Sequence, residues 1–126
     1  MTFTRDQTDP AAVVQAQLDA YNAHDADALA AIYGDDAEQF LHPDTLLAAG
    51  SAQIRARFRA RFADTATRAT LLSRVVLGDT VIDHETVRGR DPDGPSRVDL
   101  MAIYQVRAGR IAKAWFVFGE KTPDTA

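Results

Sequence analysis

Residues 80–118 read TVIDHETVRGRDPDGPSRVDLMAIYQVRAGRIAKAWFVF, and the fold is decided in this stretch. Val, Ile, Leu, Thr and aromatic residues dominate three runs, 80–90, 97–107 and 110–118, which is strand composition. Asp91-Pro92-Asp93-Gly94-Pro95 and Ala108-Gly109 separate them, and both are turn-forming. A fourth run, 69–77, comes before Gly78-Asp79. Four consecutive strands joined by tight turns predict an antiparallel meander.

Side chains alternate faces along a strand. In the first run Ile82, His84, Thr86 and Arg88 share one face, which we expect to point inward. Val81, Asp83, Glu85 and Val87 share the other. In the next run Val98, Leu100, Ala102, Tyr104 and Val106 oppose Asp99, Met101, Ile103 and Gln105. In the last, Ala112, Ala114, Phe116 and Phe118 oppose Ile111, Lys113, Trp115 and Val117. Both faces of the last two strands carry apolar residues, the pattern of a sheet covered on both sides. A second copy of the chain is the natural cover for the face the helices leave free. A homodimer through Met101, Ile103, Trp115 and Val117 is therefore expected.

The first half of the chain has helical periodicity. Asp9-Pro10 is a strong helix start, and Val14, Leu18 and Tyr21 form one apolar stripe ending near Asn22-Ala23-His24. Asp25 can cap a second helix carrying Leu29, Ile32 and Tyr33, with Gly34 as its stop. Residues 37–42 read as a short edge strand or turn ended by Pro43. Ser51 is expected to cap a third helix, with Ile54, Phe58 and Phe62 on one face and Arg55, Arg57, Arg59 and Arg61 on solvated faces. Helices followed by a meander define an α+β fold with the helices on one face of the sheet. One domain spanning 1–126 is expected, with loose tails at 1–8 and 121–126.

Bulk properties exclude several classes. A net charge of −4 disfavours nucleic acid as a partner. The absence of cysteine excludes disulfides and thiol chemistry. No apolar run approaches a membrane span, and the N-terminus lacks the apolar segment of a secretion signal, so the expected location is cytoplasmic. His24, His42 and His84 are far apart in sequence, so no metal is expected, and no cofactor either. Ser51, Ser73 and Ser96 lack the context of a nucleophilic serine.

Several short motifs resemble those of one superfamily. They are Ala12-Val13-Val14-Gln15, Tyr21-Asn22-Ala23-His24-Asp25, Asp35-Asp36-Ala37, Gly50-Ser51-Ala52-Gln53-Ile54-Arg55 and Trp115-Phe116-Val117-Phe118-Gly119-Glu120-Lys121. In this order and spacing the chain resembles the nuclear transport factor 2-like superfamily, in the branch of ketosteroid isomerases and SnoaL-like polyketide cyclases. The resemblance implies a cone-shaped, strongly curved, mostly antiparallel sheet, with three N-terminal helices packed on its concave face around an apolar cavity. It also locates the isomerase machinery. The tyrosine donor of that machinery falls at Gln17, its buried acid at Ala102, and its base at Leu41 or His42. The supporting tyrosines fall at Tyr33 and Phe58. Most of the oxyanion donors are thereby replaced, which argues against steroid isomerisation.

The resulting expectation is an internal cavity for a small, mostly apolar, oxygenated molecule. Tyr21, Tyr33, Phe40, Phe58, Phe62, Tyr104, Phe116 and Phe118 would form its aromatic lining, and Gln17, Thr86, Arg88 and Ala102 complete it. His42 at the mouth and His84 inside are the candidate acid–base pair for a cofactor-independent isomerisation, cyclisation or dehydration. A non-catalytic binding protein is the alternative. An epoxide-hydrolase-like enzyme is a third reading; it needs an Asp-Arg-Asp array, of which only Arg88 is placed to contribute.

Overall fold

In the computed structural model, residues 9–124 are described. Helix α1 (Pro10–Asn22) begins where the Asp9 carboxylate accepts the Ala11 N–H at 3.1 Å. Helix α2 (Ala26–Ile32) is capped likewise, Asp25 accepting the Ala28 N–H at 2.9 Å. Both caps satisfy amides that have no partner inside their helices. Helix α3 (Ser51–Arg61) differs from expectation. Gly50 is its cap, at φ 85°, and no side chain caps it; Ser51 is already helical. That positive φ, open to glycine, turns the chain sharply from strand into helix.

Among the described residues, seven strands follow the helices or alternate with them: β1 (Tyr33–Leu41), β2 (Thr45–Ala49), β3 (Arg68–Leu77), β4 (Thr80–Asp91), β5 (Gly94–Arg107), β6 (Arg110–Phe118) and β7 (Thr122–Pro123). They form one sheet in the order β2-β1-β6-β5-β4-β3, with β7 paired to β5. Only β1 and β6 run parallel. The expected meander is β3 to β6. The expected edge segment at 37–42 is instead a full strand inside the sheet, between β2 and β6. It takes in Tyr33, expected in α2, which pairs with Ile111. A parallel partner so distant in sequence leaves no local trace. The tail is also more ordered than expected. Thr122 and Pro123 pair with Arg97 and Ser96, and Lys121 Nζ reaches Asp91 at 2.8 Å. Residues 1–8, expected to be loose, lie outside the described residues, as do 125 and 126.

The sheet curls without closing, and the three helices lie on its concave face. Register shifts at Gln39/Phe40, Leu71/Ser73 and Gln105/Val106 add local bend to its intrinsic twist. Between the layers Val14, Leu29, Tyr33, Ile54, Val81, Ala102, Ile111 and Ala114 are fully or almost fully buried. Among the described residues no helix is long and apolar enough to cross a membrane.

Strand β4 reverses the expected facing. Val81, Asp83, Glu85 and Val87 point inward and are buried, while Ile82, His84 and Arg88 are half-buried on the convex face. Thr86 is also on the convex face, donating to the Asp99 carboxylate at 2.7 Å. The expectation failed because it preferred to bury the uncharged set. The acidic set is buried because β3 delivers a cation to it. The bulge between Leu71 and Ser73 shifts the alternation by one, so Arg74 stands opposite Asp83 on the inner face. Its Nε and Nη2 donate to the two Asp83 oxygens at 2.7 and 2.9 Å.

Candidate functional site

Helices α1 and α3 and the inner face of β4, β5 and β6 line a cavity of about 610 Å³. Gln17, Leu18 and Tyr21 form its α1 wall, and Arg57, Phe58 and Arg61 its α3 wall. The sheet supplies Glu85, Val87, Val98, Leu100, Tyr104, Phe116 and Phe118. The exposed lining residues, Ala60, Arg61, Phe118, Gly119 and Lys121, mark the mouth. The lining is mainly apolar with few polar points, as small-molecule sites usually are.

The rings interlock at their edges. Tyr21 packs edge-on against Phe58 and Phe62, with centroids 6.1 and 5.3 Å apart, and Tyr104 meets Phe116 at 89°. Such contacts fix ring positions better than area alone. Tyr21 is tied down further. Arg61 Nε donates to its hydroxyl at 3.2 Å, and that hydroxyl lies 2.7 Å from Thr67 Oγ1.

Four polar features reach or support the wall. The first is Gln17, whose Oε1 accepts from the Tyr104 hydroxyl at 3.1 Å in a buried setting. Burial pushes the Tyr104 phenol well above its ordinary pKa, so it remains a donor. With its oxygen engaged there, the Gln17 amide nitrogen is left to donate to a guest.

Glu85 is the second. It is 6% exposed, and its Oε2 has no hydrogen-bond partner. Burial, then the Asp83 charge two residues away on the same face, push its pKa up to about 7, against the opposing pull of Arg74. Among the described residues it is the only carboxylate on the cavity wall.

The Arg74–Asp83 pair, third, lies behind Glu85 and does not line the cavity. Gln15 Oε1 accepts a further bond from Arg74 at 3.0 Å. The fourth is Arg57, whose Nη1 donates to the buried Gln39 Oε1 at 2.7 Å. Tyr33 lies beside Gln39 without a well-formed hydrogen bond, and burial pushes its phenol pKa up.

Of the residues singled out from sequence, Gln17, Tyr21, Phe58, Tyr104, Phe116 and Phe118 line the cavity. The others do not. His42 is exposed in the turn after β1, and its backbone N–H donates to the Phe116 carbonyl at 2.9 Å. His84 faces away on the convex side, so the two histidines do not meet across the cavity. Tyr33 and Ala102 are packed in the core. Phe40 stacks on Trp115 on the convex face, and Phe62 stacks on His24 behind the wall. Thr86 and Arg88 are convex, Arg88 reaching Asp124 at 3.2 Å. Sequence reasoning missed Glu85, a casualty of the reversed β4 face. It also placed Arg57 on a solvated face, whereas that side chain turns into the cavity. The available signal was the carboxylate pair at i and i+2 between Val81 and Val87 on one strand face.

Among the described residues no three His, Asp or Glu side chains group as metal ligands would. The arrangement is suited to proton transfer: a carboxyl near neutrality, an amide donor and an apolar enclosure.

Known proteins agree on the architecture. No curated protein sequence matches the chain. Among solved structures, a hypothetical protein with a ketosteroid isomerase-like fold from Catenulispora acidiphila is 18% identical, with TM-score 0.73 and 82% of each chain covered. A putative polyketide cyclase from Sinorhizobium meliloti is 28% identical, with TM-score 0.70, covering 82% of this chain and 92% of that one. An LEH-like epoxide hydrolase of M. tuberculosis is 19% identical, with TM-score 0.71, covering 85% and 80%. Residues 14–114 match the model of the SnoaL-like domain, and the chain belongs to that family, within the nuclear transport factor 2-like superfamily.

Proposed function

We propose that the chain binds a small, mostly apolar carbonyl compound in this cavity and moves a proton on it through Glu85. Glu85 carries the reading, as a buried carboxyl with one unpartnered oxygen and a pKa near 7 on the wall of an apolar cavity. A base of that pKa is half-ionised at neutral pH and can both take and return a proton. The Gln17 amide is the donor available to a carbonyl oxygen that gains charge as the neighbouring C–H is broken. Isomerisation, cyclisation and dehydration all use this step. Two-carboxylate epoxide opening is served less well, because Asp83 is held by Arg74 behind the wall.

The probe is 5-nitrobenzisoxazole, whose ring opens when a base removes its C–H proton and releases a coloured phenolate. The wild type should accelerate this opening, with kcat/KM rising through about pH 7 as Glu85 ionises. Glu85→Gln should lose roughly 10²-fold or more. His84→Gln and His42→Gln should leave the rate unchanged. If the wild type does no better than Glu85→Gln, proton transfer is wrong and the cavity belongs to a binding protein.

The same reading includes a homodimer. On the convex face Val75, Ile82, Ile103, Trp115 and Phe40 form one apolar row across five strands, with Met101 and Val117 beside it. Met101 and Val117 are 44% and 40% exposed. A contiguous apolar band on the face the helices leave open is suited to a second copy of itself.

A further inference from the structure

On α3, the four arginines are treated differently by the fold. Arg55 and Arg59 both reach Asp27, at 3.1 and 3.0 Å. Arg57 and Arg61 turn to the cavity, and among the described residues neither has a carboxylate within ion-pair distance. Arg57 is the deeper of the two. Its guanidinium carbon sits 5.0 Å from the Phe58 centroid and 5.3 Å from the Phe116 centroid. One nitrogen is fixed on Gln39, whose oxygen sets the plane of the fork. Among the described residues the remaining N–H groups have no acceptor.

This is an incomplete arrangement in physical terms. A partly buried cation without a counter-ion is costly, and burial pushes the Arg57 pKa down accordingly. Arg61, one turn further along, adds like-charge repulsion. Gln39 and the two rings offset part of this, but no carboxylate among the described residues does. Both are offset by an anion at the free edge of Arg57.

We propose that Arg57 receives a carboxylate of the ligand, so that the cavity takes an apolar molecule bearing one carboxylate group. A planar fork with two free N–H groups matches the two oxygens of a carboxylate. Phe58 and Phe116 flank the fork and hold the apolar body next to it. A phosphate dianion would want more donors than this one fork supplies, and Arg61 stands exposed at the mouth with its Nε on Tyr21. The opposite wall orients the guest. Glu85 stands on β4, across from α3, and repels an anion, so the carboxylate end goes to Arg57 and the reacting carbon to Glu85 and Gln17.

The inference rests on the cavity being a ligand site, and not on proton transfer. It is tested by calorimetry with 2-naphthoate and its neutral methyl ester. The wild type should bind the acid at least about 10-fold more tightly than the ester. Arg57→Gln should abolish that preference while changing ester affinity by less than about 3-fold, and Arg57→Lys should restore only part of it. Equal binding of acid and ester, no binding of the acid, or a preference surviving Arg57→Gln each overturns the proposal. In the ligand-free protein, Arg57→Gln should shift Tm by no more than about 3 °C; a larger fall means that the guanidinium holds the fold, and overturns it too. An acid preference without turnover of 5-nitrobenzisoxazole would refute proton transfer alone. Turnover without an acid preference would refute the carboxylate site alone.

Discussion

Replacing Glu85 by Gln should make the protein more stable in mild alkali while removing the proposed proton-transfer activity. The native carboxyl titrates at about 7, against an ordinary value of 4.5. The folded state therefore holds the proton more tightly than the unfolded chain. Its stability is undiminished by this group below about pH 4.5, falls as pH rises toward 7, and stays reduced above it. At about 1.4 kcal/mol per pKa unit, the full loss is about 3 kcal/mol. Glu85 is 6% exposed, so solvent screening discounts this little. Gln keeps the shape and cannot ionise. Every other titrating group is common to both proteins, so the difference between their pH profiles isolates Glu85. The assay is urea unfolding from pH 5 to pH 8, followed by the fluorescence of Trp115, the only tryptophan. Between those limits the wild type should lose about 2–3 kcal/mol more than the variant, equivalent to roughly 10 °C in Tm. Profiles that stay parallel within about 0.5 kcal/mol would refute the raised pKa and the assignment of Glu85 as base. The expected combination, a gain in stability with a loss of activity, is characteristic of a group kept for function.

Other consequences concern the groups around it. Arg74→Met strands the fully buried Asp83, and should cost about 3–5 kcal/mol in denaturant unfolding. Adding Asp83→Asn should recover most of this, giving a coupling above about 2 kcal/mol; independent effects would mean that the pair does not hold the inner face together. On the convex face, Ile103→Lys places a charge in the middle of the apolar row. Light scattering should then show half the wild-type mass with secondary structure intact, and a wild type that is itself monomeric rules out the dimer.

Much of the architecture was legible in the chain itself. Asp9 and Asp25 announce their helices because an isolated carboxylate before an apolar stripe has a local job, accepting the first free amides. The meander from Arg68 to Phe118 was readable because its turns are local and its alternation has period two. Tyr21 on α1 and the β5 and β6 lining, Tyr104, Phe116 and Phe118, follow from the same periodicities, and Gln17 follows from the family resemblance.

What tertiary structure decided was which way ambiguous segments face. Strand β4 offers two half-apolar faces, and composition favours burying His84 over Glu85. A bulge in β3 and the arginine it re-aims reverse that choice, and no local pattern encodes a bulge. The Arg57 position was equally invisible, since a helix with arginines on several faces does not say which one finds a cavity. Local periodicity thus determined the elements and part of the cavity lining. Long-range register determined the site, because the two charges that define it are tolerable only where distant strands and rings surround them.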